Sequence, residues 1–229
     1  MLILDTAFVS DGIFTSPKDY LKTIFASTQA AGGLCVADEV QGGFGRLGHH
    51  FWGFQFDDVI PDIVTLGKPM GNGHPLAAVV TRPEIAETLA IEMSYFNTFG
   101  GNPVSCAAGL AVLEVIEKES LQQNALKVGE YLRERLAILQ RDYPVIGGLH
   151  GSGLLQGIDI IKPGGALNPE MADHIINHMR QNGVLIGTTG QNYAILKIRP
   201  PLVFQKEHAE ILLVAMIKAL DDILSLQSA

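Results

Sequence analysis

Basic residues are scarce and scattered in this chain. Sixteen Lys and Arg stand against 24 Asp and Glu, the formal charge is −8, and no stretch clusters Lys or Arg. A nucleic-acid backbone, bound by neutralising its phosphates, is excluded as a partner. Long apolar runs are missing too. Gly33 to Ala37 and Ile211 to Ile217 are far too short to span a bilayer, and no basic stretch followed by a long apolar one opens the chain. Both observations argue against membrane insertion and secretion. Cysteines number two. Cys35 lies in an apolar strand-like run and Cys106 in an Ala/Gly-rich helical one, so both read as small buried hydrophobes and not as a disulfide or a metal site. The expected compartment is a reducing cytoplasm. His174 and His178, one helical turn apart, are the one ligand-like histidine pair; with no Cys or acidic set nearby they read as an exposed helix face, and no metal is expected. Repeats, low-complexity tracts and flexible linkers are absent from the sequence.

What is present suits a globular α/β protein: 229 residues, 47% hydrophobic and 17% charged, enough for one sizeable core or two modest ones. Leu2 to Leu4 and Gly33 to Ala37 are continuous apolar runs ending at acidic residues, as strands of a parallel sheet do. Between them Tyr20 to Ala30 has helical spacing, with Pro17 and Asp19 suited to its start and Gly32 with Gly33 to its end. Further strands are expected at Ile63 to Leu66 and Leu76 to Thr81. Then Asn102 caps a helix with Pro103 at its first position, and the small residues of Val104 to Lys118 suit close packing. A helix over Leu121 to Gln140, a strand over Gly153 to Ile161 and a helix over Pro169 to Asn182 follow. Strands near Val184 to Ile186 and Ala194 to Arg199, and an amphipathic helix from Lys206 to about Leu226, complete a second α/β body. The chain opens directly on an apolar strand, and a small parallel sheet under one helix leaves a face uncovered. The expectation is a piece of a larger domain or an obligate oligomer.

Two places carry chemistry. Asp38 and Glu39 end a buried strand, where ligands bind in open α/β sheets; taken alone, such a pair reads as well as a strand-to-loop acid pair. Lys68 follows the next buried strand, among Gly67, Gly71 and Gly73. Both side chains can meet in one crevice, and a desolvated lysine is a good amine nucleophile. A plain surface-loop lysine is an equally good reading of these residues alone.

The motifs decide between them. Ala37-Asp38-Glu39-Val40-Gln41-Gly42-Gly43-Phe44-Gly45-Arg46-Leu47-Gly48, Pro61-Asp62-Ile63-Val64-Thr65-Leu66-Gly67-Lys68 and Asn97-Thr98-Phe99-Gly100-Gly101-Asn102-Pro103 resemble, in order and spacing, segments of the class III (fold type I) aminotransferases. The likeness continues through Gly151-Ser152-Gly153-Leu154 and Leu196-Lys197-Ile198-Arg199-Pro200-Pro201-Leu202. Gly67-Lys68-Pro69-Met70-Gly71-Asn72-Gly73-His74-Pro75 looks most like the branch holding alanine–glyoxylate aminotransferase 2 and ethanolamine-phosphate phospho-lyase. The resemblance implies pyridoxal 5′-phosphate as cofactor, an amine or amino acid and a keto acid as substrates, and a homodimer with shared active sites. It implies an incomplete large domain over 1–103, with a parallel-type sheet, and a linking helix and small domain over 104–229.

Residue by residue, it implies that Asp38 pairs with the pyridine nitrogen, Val40 lies on the ring face, and Gln41 bonds the ring's phenolic oxygen. Lys68 is the Schiff-base and proton-shuttling lysine, and Thr98 donates to the cofactor phosphate across the dimer interface. Lys197 stands where many relatives carry a carboxylate-gripping Arg; Arg199, two residues along the same strand face, suits a planar oxyanion better than Lys does, and reads otherwise as a salt-bridged strand residue next to Pro200. Relatives also carry an N-terminal segment with a phosphate loop and a ring-stacking aromatic, which this sequence lacks, so weak or no activity is expected of this polypeptide alone. Three readings stay open: an aminotransferase, a phospho-lyase acting on a phosphorylated amine, and a non-catalytic fragment or subunit that needs a complementary chain.

Overall fold

A computed structural model describes residues 1–227. They form two compact units: Met1–Thr6, Ser16–Gly45 and His50–Leu121 in the first, and Ala7–Thr15, Arg46–His49 and the described residues from Gln122 onward in the second. This division differs from the expected 1–103 and 104–229. The helix after Asn102 belongs to the first unit, and two short stretches from the first half of the chain belong to the second.

The first unit is built on a four-stranded sheet of order β1 (Leu2–Asp5), β2 (Cys35–Asp38), β3 (Ile63–Leu66) and β4 (Ala78–Thr81). β1, β2 and β3 are parallel, and β4 joins β3 antiparallel. Helix α1 (Tyr20–Ala30) returns the chain from β1 to β2, burying Leu21 and Phe25 against Cys35, with Leu2 and Leu4 alongside. Its end is as expected, with Gly32 at φ 73°, a left-handed position that costs glycine nothing. Its start is not. Asp19 makes no cap; the Asp57 carboxylate, from a 3-10 turn over Gly53–Asp57, accepts from the Asp19 N–H (3.1 Å), the Leu21 N–H (3.3 Å) and Ser16 Oγ (2.9 Å).

Helix α2 (Pro83–Glu92) was not expected from the sequence; it buries no residue, although Ile85 and Leu89 stand one turn apart on it. Helix α3 (Pro103–Lys118) starts as expected, Asn102 accepting from the Ser105 N–H at 3.0 Å, but buries only Ser105, Gly109 and Ile116. Cys106 is exposed on it, which corrects the expectation of two buried thiols; Cys35 is buried and both are free. Val104, Leu110 and Leu113 are likewise exposed.

In the second unit, helices α4 (Leu121–Asp142), α5 (Pro169–Gln181) and α6 (Lys206–Gln227) cover an antiparallel sheet. Its order is β5 (Ile146–Ser152), β6 (Leu155–Ile160), β8 (Ile195–Ile198) and β7 (Gly187–Thr189). Leu132, Leu136, Ile158, Leu196, Ile175, Met179 and Met216 form its core. β5 lies before the expected strand; Gly147, Gly148 and Gly151, with a register shift between Ile146 and Leu149, hide its alternation. The expected strand near Val184–Ile186 is a loop, and β7 follows it. Asp222 of α6 lies 3.2 Å from His174 and 3.9 Å from His178, so that pair has the acidic neighbour that sequence proximity did not supply. No helix among the described residues is long and apolar enough to cross a membrane.

Asp57→Ala removes three hydrogen bonds at the start of α1, and is expected to lower unfolding stability by about 2 kcal/mol in urea titrations. An unchanged midpoint would show that α1 does not depend on this cap.

Candidate functional site

Because β1, β2 and β3 run parallel, their C-terminal ends lie along one edge of the sheet, where open α/β sheets present ligand sites. Register sets Asp5 beside Asp38 and Asp38 beside Thr65, so these three side chains share a sheet face. The Val40 N–H donates to Asp38 Oδ1 at 3.0 Å and fixes the carboxylate. Gly67, extended at φ −178°, carries no side chain beside Val40; a Cβ there would come within 3.7 Å of a Val40 methyl. Lys68 follows immediately, exposed, at φ 40°. A non-glycine residue in that left-handed region is strained, and such strain persists where the surroundings over-determine it. Asp38, Val40 and Lys68 are thus brought to one end of the sheet, with Gln41 next along the loop.

Glu39 points the opposite way and is fully buried. Thr6 Oγ1 (2.9 Å) and the Phe54 N–H (2.9 Å) donate to its Oε1, and the Gly53 N–H (2.8 Å) to its Oε2. Gly53 is required, since a Cβ there would come 2.3 Å from Thr6 Oγ1. Burial pushes the Glu39 carboxyl above its ordinary value, against the pull of these three donors. The sequence reading singled out Glu39 only as part of an acid pair; strand alternation was the signal that separates its structural role from that of Asp38.

The loop after Lys68 is held from α3. His74 Nε2 lies 2.7 Å from Ser105 Oγ, which also accepts from Asn102 Nδ2 at 2.9 Å, and a Cβ on Gly109 would come within 2.6 Å of Leu76. The loop after Lys68 is thereby joined, through Ser105, to Asn102 of the third motif, a link invisible in sequence. Thr98 sits in an exposed turn built by Asn97 Oδ1, which accepts from the Phe99 (3.2 Å) and Gly100 (2.9 Å) N–H groups.

Lys197 and Arg199 belong to the second unit, where both line a cleft of about 830 Å³. Arg46 lies in the same unit. Its guanidinium donates to the carbonyls of Leu154 (3.1 Å) and Pro200 (2.8 Å), and burial, with the like charge of Arg199, lowers its pKa to about 10. It stays cationic at neutral pH while tying down the chain directly after Arg199.

A carboxylate with one oxygen fixed, an open glycine beside Val40 and a lysine at the neighbouring strand end fit a planar, protonated heteroaromatic ring carrying an aldehyde. Comparison with known proteins identifies the family. Residues 2–220 match the family model Aminotransferase class-III. The alanine–glyoxylate aminotransferase 2 homolog 2, mitochondrial, of Arabidopsis thaliana is 49% identical over 207 residues, 90% of this chain and 43% of that protein. The alanine–glyoxylate aminotransferase 2-like protein of Drosophila melanogaster is 46% identical over 203 residues, 87% of this chain and 41% of its own. Among solved structures, a phospholyase from Arthrobacter in complex with phosphoethanolamine matches with a TM-score of 0.93 at 44% identity, over 96% of this chain and 52% of that one. The chain spans less than half the length of these two curated relatives.

Two outcomes are expected. Lys68→Gly relieves the left-handed strain and should be more stable than Lys68→Ala by about 1 kcal/mol in thermal unfolding; equal stabilities would deny the strain. Glu39→Gln turns an amide N–H toward a buried donor and should cost about 1–3 kcal/mol. The raised Glu39 pKa means that the folded state holds this proton more tightly. Its contribution is full below the unfolded value near 4.5 and is lost as pH rises through the folded value. Glu39→Gln should flatten that part of the stability–pH curve, and identical slopes would contradict it.

Proposed function

Because the chain belongs to the class-III aminotransferase family, we propose that the protein it comes from moves an amino group from an amine or amino acid to a keto acid, with pyridoxal 5′-phosphate as cofactor. Over the part it spans, the fold is the α/β fold type I of that family. The observation that carries the proposal is the placement of Asp38 and Lys68 at the ends of adjacent parallel strands, with Val40 and bare Gly67 beside them. When bound, pyridoxal phosphate draws electron density from the substrate carbon next to nitrogen and so makes its proton removable. In this reading Asp38 holds the proton on the ring nitrogen, and Val40 walls one face of the ring. Gln41 donates to the ring oxygen. Lys68 anchors the group through its amine and, once displaced, carries the proton to and from the substrate carbon. Lys197 and Arg199 grip the substrate's anionic end, and Arg46 keeps the backbone after Arg199 in place.

Thr98 is proposed to donate to the cofactor phosphate of a partner protomer in a homodimer. Support comes from the apolar side chains around it: Ile91, Met93, Tyr95, Phe96 and Phe99 are all exposed, a patch that a monomer rarely leaves to water. The compartment proposed is the cytoplasm, on two free thiols, although the Arabidopsis relative is named mitochondrial.

A second reading, a phospho-lyase, is favoured by the Arthrobacter match and by the basic residues lining the cleft. It is distinguished by release of ammonia and phosphate without a keto acid. The third, a fragment completed by a complementary chain, draws support from the share of the relatives' length that is spanned.

The chain mixed with pyridoxal phosphate should develop a visible absorption band that Lys68→Ala lacks. Asp38→Asn should keep the band and hold the cofactor about tenfold more weakly, for loss of one charge-assisted bond. A band that survives Lys68→Ala contradicts the assignment; no band in a folded chain selects the fragment reading.

A further inference from the structure

The loop that carries Lys68 has more strain than burial to hold it. Lys68, Asn72 and Gly73 stand at φ 40°, 44° and 102°. The Lys68 and Asn72 side chains are exposed, and those of Pro69 and Met70 are only half-buried. Two non-glycine residues in the left-handed region so close together persist only where their surroundings over-determine them. Part of that restraint is a ladder of backbone bonds. The Met70 N–H donates to the Gly67 carbonyl (3.1 Å), the Asn72 N–H to that of Pro69 (3.1 Å) and the His74 N–H to that of Gly71 (2.9 Å). The ladder ends on His74, and the His74 ring leaves the loop to meet buried Ser105 of α3, Nε2 to Oγ, at 2.7 Å. Asn102 fixes the direction of that bond. Its Oδ1 accepts from the Ser105 N–H (3.0 Å), and its Nδ2 donates to the Phe99 carbonyl (2.8 Å) and to Ser105 Oγ (2.9 Å). Ser105 therefore receives at Oγ and passes its own proton to His74 Nε2, so the neutral ring carries its proton on Nδ1.

We propose that His74 is a positioning residue for Lys68. Its bond to Ser105 fastens the far end of the ladder, the ladder holds Lys68 left-handed, and that backbone sets the direction in which the amine leaves the strand end. An amine held in one direction meets an aldehyde far more often in a productive geometry than one on a free loop. The same chain of bonds runs on through Asn102 to the Phe99 carbonyl, next to Thr98, so the lysine loop and the Thr98 turn form one hydrogen-bonded piece. The inference rests on the cofactor role given to Lys68 and goes beyond it, because it names the side chains that fix the geometry of that amine without touching the cofactor.

The test compares His74→Ala, Ser105→Ala and His74→Gln with the unaltered protein. Each is mixed briefly with pyridoxal phosphate, reduced with borohydride and mapped, and the yield at Lys68 is read against that at the exposed Lys22 and Lys127 of the same sample. Both alanine variants are expected to lower this ratio about tenfold. His74→Gln, whose Oε1 can stand near the place of Nε2 and accept the same proton, should restore most of it. Hydrogen exchange at the Met70, Asn72 and His74 amides should quicken about fivefold in the alanine variants, for loss of one hydrogen bond, and stay near the original rate in His74→Gln. An unchanged ratio in His74→Ala, equal losses with Ala and Gln, or unchanged exchange overturns the proposal. If the unaltered protein shows no preference for Lys68, the cofactor assignment fails by itself, and the exchange rates still decide whether His74 holds the loop.

Discussion

Adjacent residues of a strand face opposite ways, and at Asp38 and Glu39 that constraint divides structure from chemistry. Glu39 turns inward and gathers donors from Thr6, Gly53 and Phe54, which fastens the end of β1 and the 3-10 turn to β2. That buried carboxylate fixes the strand end from which Asp38 faces the other way, beside Asp5 and Thr65. A slip of one residue in β2 would bury Asp38 and expose Glu39. The rest of the first unit defends the same geometry: Asp57 anchors the helix between β1 and β2, and α3 holds the loop after Lys68 through Ser105 and His74.

The parallel strands were legible as continuous apolar runs, although only β2 is buried along both faces and Ile3 of β1 is exposed; Asn102-Pro103 announced α3 because capping is local chemistry. Elements lacking a local signature were not legible. β5 is broken by glycines, and the apolar run Val184 to Ile186 lines a cleft as a loop; α2 was missed although Pro83 and Glu84 mark its start. Nor does sequence order reveal that Ala7–Thr15 and Arg46–His49 belong to the second unit. Thr189 Oγ1 donates to the Val9 carbonyl at 2.6 Å and Arg46 reaches the Pro200 carbonyl, contacts that span most of the chain. Of the site, the motif residues were named from resemblance, and alternation could have set Glu39 apart from Asp38, whereas the roles of His74, Ser105 and Arg46 emerge only from tertiary contacts.

Exposure of apolar side chains is concentrated from Val79 to Val115, including Leu89 and Ile91 of α2 and Val104, Leu110, Leu113 and Val115 of α3. Of the small residues of α3, Ser105 and Gly109 are buried, while Cys106 and the larger Val104, Leu110 and Leu113 face outward. This sets the Ala-rich face of α3 apart from the closed core of the second unit, where Leu132, Ile175 and Met216 are almost fully buried.

The central claim is that the strand ends of the first unit single out Lys68 as the amine that holds the cofactor. Borohydride reduction of the protein mixed with pyridoxal phosphate, followed by mass mapping of its tryptic peptides, reads this directly. A pyridoxyl label on the peptide containing Lys68, and on no other lysine in comparable yield, is the result the account predicts. A label spread over surface lysines, with none preferred at Lys68, would contradict it.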